Sequence, residues 1–198
     1  RRRVHDHRPW GAALVRGGKI IAEAWHHAFG DLHAERQLLA EFDQKIYSGD
    51  ILYVNLEPCC HHGKTPPCTA AILERGIRHV VFGMRDPNPV VAGKGIALLE
   101  QGGVHVEGPV ERASCERANR GFLSVVALGR PYVTLRSAQT VDGRAAKPNG
   151  EPLKITCRQQ DLWTHRFLRA RHDAILVGIG TVLRDNPRLT ARYSNKKI

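Results

Sequence analysis

The sequence has few aromatic residues, an odd number of cysteines and no long apolar stretch. Phe, Trp and Tyr make up 6% of the 198 residues, which is little for a surface that stacks nucleic-acid bases. Five cysteines cannot all pair with one another, so a reducing compartment such as the cytoplasm is favoured. No window holds the roughly 20 apolar residues of a membrane span, and the basic start lacks the apolar segment of a secretory signal. These absences favour a cytoplasmic globular protein with no membrane association.

The positive charge is large but dispersed. The formal net charge is +11, and 42% of the residues are hydrophobic, which is enough for a packed core. The basic residues are scattered from the arginines at 1–3 to those near the other end, and they form no single block. Together with the scarcity of aromatics, this favours a small anionic or phosphorylated ligand over nucleic acid.

Short strands alternate with helices over the first two thirds of the chain. Residues 11–15 and 19–24 read as a hairpin whose turn is Gly17-Gly18, because glycine accepts positive φ without steric cost. Further strands are predicted at 51–56, 79–83 and 104–106, and helices at 33–42, 69–75 and 95–101, with Asp31 capping the first helix. This alternation predicts an α/β layer with parallel neighbouring strands.

A new series of predicted strands and helices begins near residues 125–131. Strands are predicted at 132–135 and 174–177, with a helix at 160–169 between them. We therefore predict a first domain over 1–126 and a second over 127–198. About 70 residues is little for an independent core, so the second segment is either part of a larger domain or an appendage of the first.

Four residues in three places carry the chemistry. His33-Ala34-Glu35 opens a predicted helix, Pro58-Cys59 follows a buried strand, and Pro67-Cys68 opens another helix. One imidazole and two thiolates suit a tetrahedral Zn²⁺ whose fourth position stays open for water, and the metal lowers the pKa of that water towards about 7. Glu35 is then free to move protons, and the pattern is typical of zinc deaminases that act on nucleobase-type rings.

The alternative is that these four are ordinary core or surface residues without a function in catalysis. A lone His and two Cys are usually such residues, but here three local patterns coincide, which favours a metal site. Cys60 is interpreted as a packing residue beside Cys59, and Cys115 and Cys157 as structural bystanders.

The segment between the two cysteines is long. Cytidine and tRNA-adenosine deaminases keep a tight P-C-x-x-C, whereas residues 56–68 here read LEPCCHHGKTPPC. With DPNP at 86–89, AGKG at 92–95 and NRGF at 119–122, the chain resembles the bifunctional riboflavin-biosynthesis deaminase–reductase family from about residue 11 to 192.

The resemblance implies a fold, a reaction and a set of site residues. It implies a cytidine-deaminase-like three-layer α/β/α domain, followed by the start of a dihydrofolate-reductase-like α/β domain. The implied reaction is deamination of 2,5-diamino-6-ribosylamino-4(3H)-pyrimidinone 5′-phosphate, followed in the family by NADPH-dependent reduction of the ribosyl group. It makes His33, Cys59 and Cys68 the zinc ligands and Glu35 the proton shuttle. The residues implied to contact the sugar phosphate are His61, His62, Lys64 and Thr65.

The second segment resembles the family's reductase at residues 136–144 and 173–187. By this resemblance Ala138, Thr181 and Asp185 contact NADPH. The residues implied to contact substrate there are Arg169, Leu189 and Arg192. We expect no independent reductase activity from these residues without the rest of that domain, and we expect a homo-oligomer, as the family tends to form.

Two departures from the family pattern keep alternatives open. Residues 5–11 read HDHRPWG, around Trp10, where the family has a Pro-Asn-Pro-x-Val-Gly segment that helps to hold the pyrimidine, and Arg36-Gln37 replaces the usual Val-Asn or Val-His. The alternatives are a nucleotide or nucleic-acid base deaminase of the same superfamily, and a non-catalytic remnant that keeps zinc for stability.

Overall fold

The computed structural model describes residues 11–27, 30–151 and 153–192. Residues 5–10 with Trp10, and Pro152, lie outside the described residues. The chain divides into two compact units, one running through Tyr132 and the other starting at Val133.

The first unit opens with the predicted hairpin. Strands β1 (Gly11–Arg16) and β2 (Lys19–Trp25) pair antiparallel. Gly17 and Gly18 between them have φ of 55° and 76°, which is the left-handed backbone that two-residue hairpin turns require. The hairpin prediction is therefore confirmed.

The hairpin joins a five-stranded mixed sheet of order β2-β1-β3-β4-β5. Strands β3 (Ile51–Val54), β4 (His79–Phe82) and β5 (His105–Glu107) run parallel to one another, and β1 runs antiparallel to β3. Since ligands in such sheets bind beyond the carboxyl ends of parallel strands, the loop after β3 is placed to carry a site.

Helices cover the face of the sheet that bears the core. They are α1 (Ala34–Glu41), α2 (Cys68–Glu74) and α3 (Lys94–Gln101). Alternate strand residues point towards them, as the two-residue period of a strand demands. The fully buried side chains of this cluster include Leu14, Leu38, Leu52, Ile72, Val80 and Leu99. The predicted α/β class is confirmed.

Two local details of this unit differ from prediction. Asp31 does not cap α1: His33 is the N-cap residue, with extended φ and ψ of −65° and 156°, and no side chain caps the helix. The helix thus begins at Ala34, which leaves the His33 side chain outside the helix. Strand β3 ends at Val54, two residues early, because the chain turns there into the site loop.

The second unit contains helices α6 (Arg158–Trp163) and α7 (Ile179–Asp185). After α6 the chain makes a π-helical turn to Leu168 and a 3-10 turn to Arg171, so the predicted helix is present but irregular. The predicted strands at 132–135 and 174–177 are wrong: in the described part of the chain neither is hydrogen-bonded into a sheet. Leu135 and Leu176 there are 92% and 98% exposed. A strand needs a neighbour for its backbone, and no described segment supplies one.

The first unit ends with two helices that follow β5, α4 (Arg112–Ala118) and α5 (Arg120–Leu128). Asn119 links these two helices, and its buried amide donates to the Cys115 carbonyl at 2.9 Å. Within the described residues, no helix is long and apolar enough to cross a membrane.

A partly buried ion pair joins the end of β1 to the residue before β3. Arg16 donates from Nε and Nη2 to the two carboxylate oxygens of Asp50, both at 2.8 Å, and the Tyr47 amide donates to the same carboxylate at 2.9 Å. Asp50 is 1% exposed, and the hydrogen bond from Arg16 lowers the pKa of Asp50.

Asp50→Asn is expected to lower the free energy of unfolding at pH 7 by about 1–3 kcal/mol, because a charged acceptor is lost. The folded pKa of Asp50 lies below the ordinary value of about 3.9, so its contribution is complete above that value and is lost as pH falls through the folded pKa. Urea unfolding from pH 7 down to pH 2 checks this, with exposed Asp43→Asn as control. A variant as stable as the wild type at pH 7 would contradict it.

Candidate metal centre and active site

Three side chains from separate elements converge at the carboxyl end of β3. The Sγ atoms of Cys59 and Cys68 each lie 3.4 Å from Nδ1 of His33. The loop after β3 supplies Cys59, the first residue of α2 is Cys68, and His33 precedes α1. The structure thus brings together residues that are 26 and 35 positions apart, as the sequence pattern predicts.

The geometry and donor chemistry fit zinc. With bonds of about 2.0–2.3 Å, a nitrogen and a sulfur ligand of one tetrahedral zinc lie about 3.6 Å apart, close to the 3.4 Å found here. Cys68 is fully buried and Cys59 is 8% exposed, whereas His33 is half-buried. Three protein ligands leave the fourth position for water, which is the arrangement of catalytic zinc sites.

Backbone and side-chain contacts hold the two cysteines in place. The Cys68 amide donates to Cys59 Sγ at 3.3 Å, and the Thr69 amide donates to the Cys59 carbonyl at 3.2 Å. Buried Val91 packs against both cysteines. Arg36 reaches from α1 to the Pro67 carbonyl at 2.9 Å, so the residue that departs from the family pattern ties α1 to the loop before Cys68.

The electrostatics favour a thiolate at Cys59. A hydrogen bond from Cys68, with a second from His33, lowers the pKa of Cys59 to about 4. The hydrogen bond with Cys59 and burial both raise the pKa of the Cys68 thiol. The hydrogen bond to Cys59 also raises the pKa of His33. Thiolate is the form of cysteine that binds metals.

Glu35 lies in the first turn of α1, two residues beyond His33. It is half-buried, and burial raises the pKa of its carboxyl group, with Cys59 and His33 close enough to act on it electrostatically. A carboxyl group whose pKa is raised towards neutrality accepts and returns protons more readily. Its position beside the three donors suits a proton shuttle.

The polar residues of the loop between the cysteines differ in how far they are exposed to solvent. His61 is half-buried and its Nδ1 is buried without a hydrogen-bond partner among the described residues. Thr65 is 9% exposed, whereas His62 and Lys64 are exposed. Cys60 turns away from the metal donors towards the Val90 carbonyl, which agrees with a packing role.

Glu57 is a supporting residue to which the sequence patterns assigned no role. Its carboxylate is 2% exposed and accepts hydrogen bonds from the backbone amides of Asp86, Gly93, Gly95 and Ile96, at 3.0–3.4 Å. It therefore ties the loop that carries Cys59 to residues 86–96. A Cβ on Gly95 would lie 2.1 Å from the Pro58 carbonyl oxygen, so this close approach requires glycine. The glutamate directly before Pro58-Cys59 was the signal available in the sequence.

Glu57→Ala is expected to lower the free energy of unfolding by about 3 kcal/mol or more, because several buried amide donors lose their acceptor at about 1–3 kcal/mol each. Zinc retention should also fall, since the Cys59 loop loses its anchor. Chemical unfolding with metal analysis checks both, and Glu100→Ala, an exposed glutamate on α3, is the matched control. Equal stability of the two variants would contradict this role for Glu57.

In the second unit, two of the residues implied to contact substrate surround a buried histidine. Arg192 contacts His165 through its amide at 3.0 Å and its guanidinium at 3.5 Å. Arg169 donates to the Thr190 carbonyl at 3.1 Å and the Arg188 carbonyl at 3.4 Å, on either side of exposed Leu189. Burial, with Arg169 and Arg192 adding repulsion, lowers the pKa of His165.

The residues implied to contact NADPH are divided between two segments of the second unit. Thr181 and Asp185 lie one turn apart on α7, both exposed. Ala138 is half-buried in a stretch without helix or strand. Gly178 is the N-cap of α7 and Gly180 lies inside the helix.

Two sequence profiles match the chain. The cytidine and deoxycytidylate deaminase zinc-binding region matches residues 1–84, and the RibD C-terminal domain matches residues 131–197. The fold and the three-donor site therefore place the first unit in the class of zinc-dependent cytidine-deaminase-like domains.

Solved structures and curated proteins that are similar to this chain identify more specific relatives within this class. A diaminohydroxyphosphoribosylaminopyrimidine deaminase/5-amino-6-(5-phosphoribosylamino)uracil reductase from Thermotoga maritima is 42% identical with a TM-score of 0.86, covering 98% of this chain and 55% of that one. RibD of Acinetobacter baumannii is 35% identical with a TM-score of 0.85, covering 99% and 55%. The riboflavin biosynthesis protein RibD of Escherichia coli is 40% identical, covering 96% of this chain and 52% of that protein.

The chain is similar to RibD riboflavin-biosynthesis proteins over 94–96% of its length. It spans about half the length of the curated relatives that it matches. The resemblance drawn from the cysteine segment is confirmed.

Proposed function

We propose that this chain carries out zinc-dependent hydrolytic deamination of 2,5-diamino-6-ribosylamino-4(3H)-pyrimidinone 5′-phosphate in riboflavin biosynthesis. The observation that carries the proposal is the convergence of His33, Cys59 and Cys68, with each Sγ 3.4 Å from Nδ1 of the histidine and Glu35 beside them. The similarity to RibD proteins supports the choice of substrate.

The proposed roles follow from position and chemistry. His33, Cys59 and Cys68 would hold the zinc, which when bound would supply a nucleophile at neutral pH by lowering the pKa of a bound water. Glu35, beside the three donors, would accept a proton from the attacking water and return it to the departing amine. The pyrimidine ring is proposed to approach from the side of His33, which is half-buried whereas both cysteines are buried.

The segment between the cysteines is proposed to hold the sugar phosphate. Charged and hydroxyl donors there suit a phosphate, and the side chains of His62 and Lys64 are exposed. The residues assigned this contact are His61, His62, Lys64 and Thr65.

The second segment is proposed to be part of an NADPH-dependent reductase domain. Ala138, Thr181 and Asp185 are assigned to NADPH, and Arg169, Leu189 and Arg192 to the substrate. The division into a deaminase domain over 1–126 and a partial reductase domain over 127–198, a homo-oligomeric state and a cytoplasmic location all stay predictions.

Ammonia release from the diaminopyrimidine phosphate, with cytidine as competitor, tests the proposal. We expect turnover of the phosphorylated pyrimidine and no inhibition by cytidine. Preferred turnover of cytidine or of a nucleic-acid base would favour a different deaminase of this superfamily. Retained zinc without turnover of any of them would identify a non-catalytic remnant.

A further inference from the structure

A second group of metal-binding side chains lies on the edge of the sheet, separate in sequence from the cysteine site. His79 begins β4 and His105 begins β5, and the two are direct partners in the parallel pairing. Glu107 follows His105 at the next-but-one position of β5, so strand alternation puts all three side chains on one face. The intervening Val80 and Val106 pack into the core on the other face.

The three side chains are close enough to share one ion. Their ligand atoms all lie within 4.8 Å of one another, and His79 Nε2 is 3.5 Å from a carboxylate oxygen of Glu107. The imidazole rings of His79 and His105 have centroids 4.8 Å apart. Two ligands of one tetrahedral ion, each about 2.1 Å from it, lie about 3.4 Å apart, so the His79–Glu107 pair already has the required separation.

A buried nitrogen in this group lacks a hydrogen bond. Nε2 of His79 is buried, and although a Glu107 carboxylate oxygen lies 3.5 Å away, the described residues give this nitrogen no hydrogen bond. Buried polar atoms are normally satisfied, and a metal ion bound through the lone pair of Nε2 would satisfy this one.

We propose that His79, His105 and Glu107 form a second metal site, for a borderline divalent cation such as Zn²⁺, Ni²⁺ or Co²⁺. Two imidazoles and one carboxylate suit these ions, and the lack of thiolate distinguishes the site from the cysteine centre. His105 and Glu107 are exposed, so the remaining coordination positions face solvent. The ion would cross-link β5, a three-residue edge strand, to its neighbour β4.

Calorimetric titration with Ni²⁺ of protein that holds one equivalent of zinc per chain tests this proposal. We expect one further equivalent to bind and to raise the thermal unfolding midpoint, as any ligand specific to the folded state does. His105→Ala removes a ligand and should weaken this binding by about 10–100-fold or more. That range is the loss seen when only an outer-shell partner of a metal ligand is removed. Glu107→Gln should weaken the binding too.

The controls separate this site from the cysteine centre. His27→Ala, at another exposed histidine, should bind the further equivalent normally, and ammonia release should be unchanged in His105→Ala. Circular dichroism and the content of the first zinc verify that each variant is folded. Absence of a further equivalent in the wild type, or equal binding by His105→Ala, would overturn the second site without touching the proposed deaminase.

Discussion

Glu35→Gln is expected to reduce ammonia release by about 10²–10⁴-fold, the range over which a positioned acid–base group acts. The substitution keeps the size and shape of the side chain but removes the group that accepts and returns a proton. Glu35 lies outside the group of donors formed by His33, Cys59 and Cys68, so the zinc content should stay at the wild-type level.

The control for this variant is on the same helix. Glu41→Gln makes the same chemical change at the exposed last residue of α1 and should retain wild-type turnover. Steady-state ammonia release, measured with zinc content on the same samples, distinguishes the outcomes. Wild-type turnover by Glu35→Gln would remove Glu35 from the mechanism.

Cys68→Ser is expected to lose the bound zinc and, with it, measurable ammonia release. A serine hydroxyl is a far poorer zinc ligand than a thiolate, and Cys68 is fully buried, so no outside group can replace it. The loss of affinity should exceed the about 10–100-fold cost of changing an outer-shell partner. The variant should also unfold at a lower temperature, because zinc binding adds to the stability of the folded state.

Cys157→Ser is the matched control, because Cys157 is exposed in the second unit and belongs to no metal-binding group among the described residues. It should keep one zinc and full activity. Metal analysis after dialysis against a weak chelator gives the zinc content of both proteins. Full zinc occupancy in Cys68→Ser would show that the zinc ligands lie elsewhere.

The sequence was most informative where chemistry depends on a few residues at fixed places. His33, Cys59 and Cys68 were predicted as one site because each stands at the boundary of a predictable element, and the structure brings their donor atoms together. The hairpin at Gly17-Gly18 was predictable for a similar reason, since its backbone needs positive φ. Such features are set by local sequence.

Features that depend on distant partners were harder to predict. Glu57 looks like an ordinary charged residue, and its role follows only from the amides that residues 86–96 bring to it. The segments at 132–135 and 174–177 have strand-like composition but no described neighbour to pair with, so propensity alone gave the wrong answer. Asp31 had the right residue type for a cap, yet the helix begins after His33.

The most direct test of the account is a zinc titration of the chelator-treated protein, with the initial rate of ammonia release from the diaminopyrimidine phosphate as readout. The rate should rise in proportion to zinc and level off at one equivalent per chain, even if a further equivalent binds at His79, His105 and Glu107. A rate that does not depend on zinc, or no ammonia release at full zinc occupancy, would contradict the account.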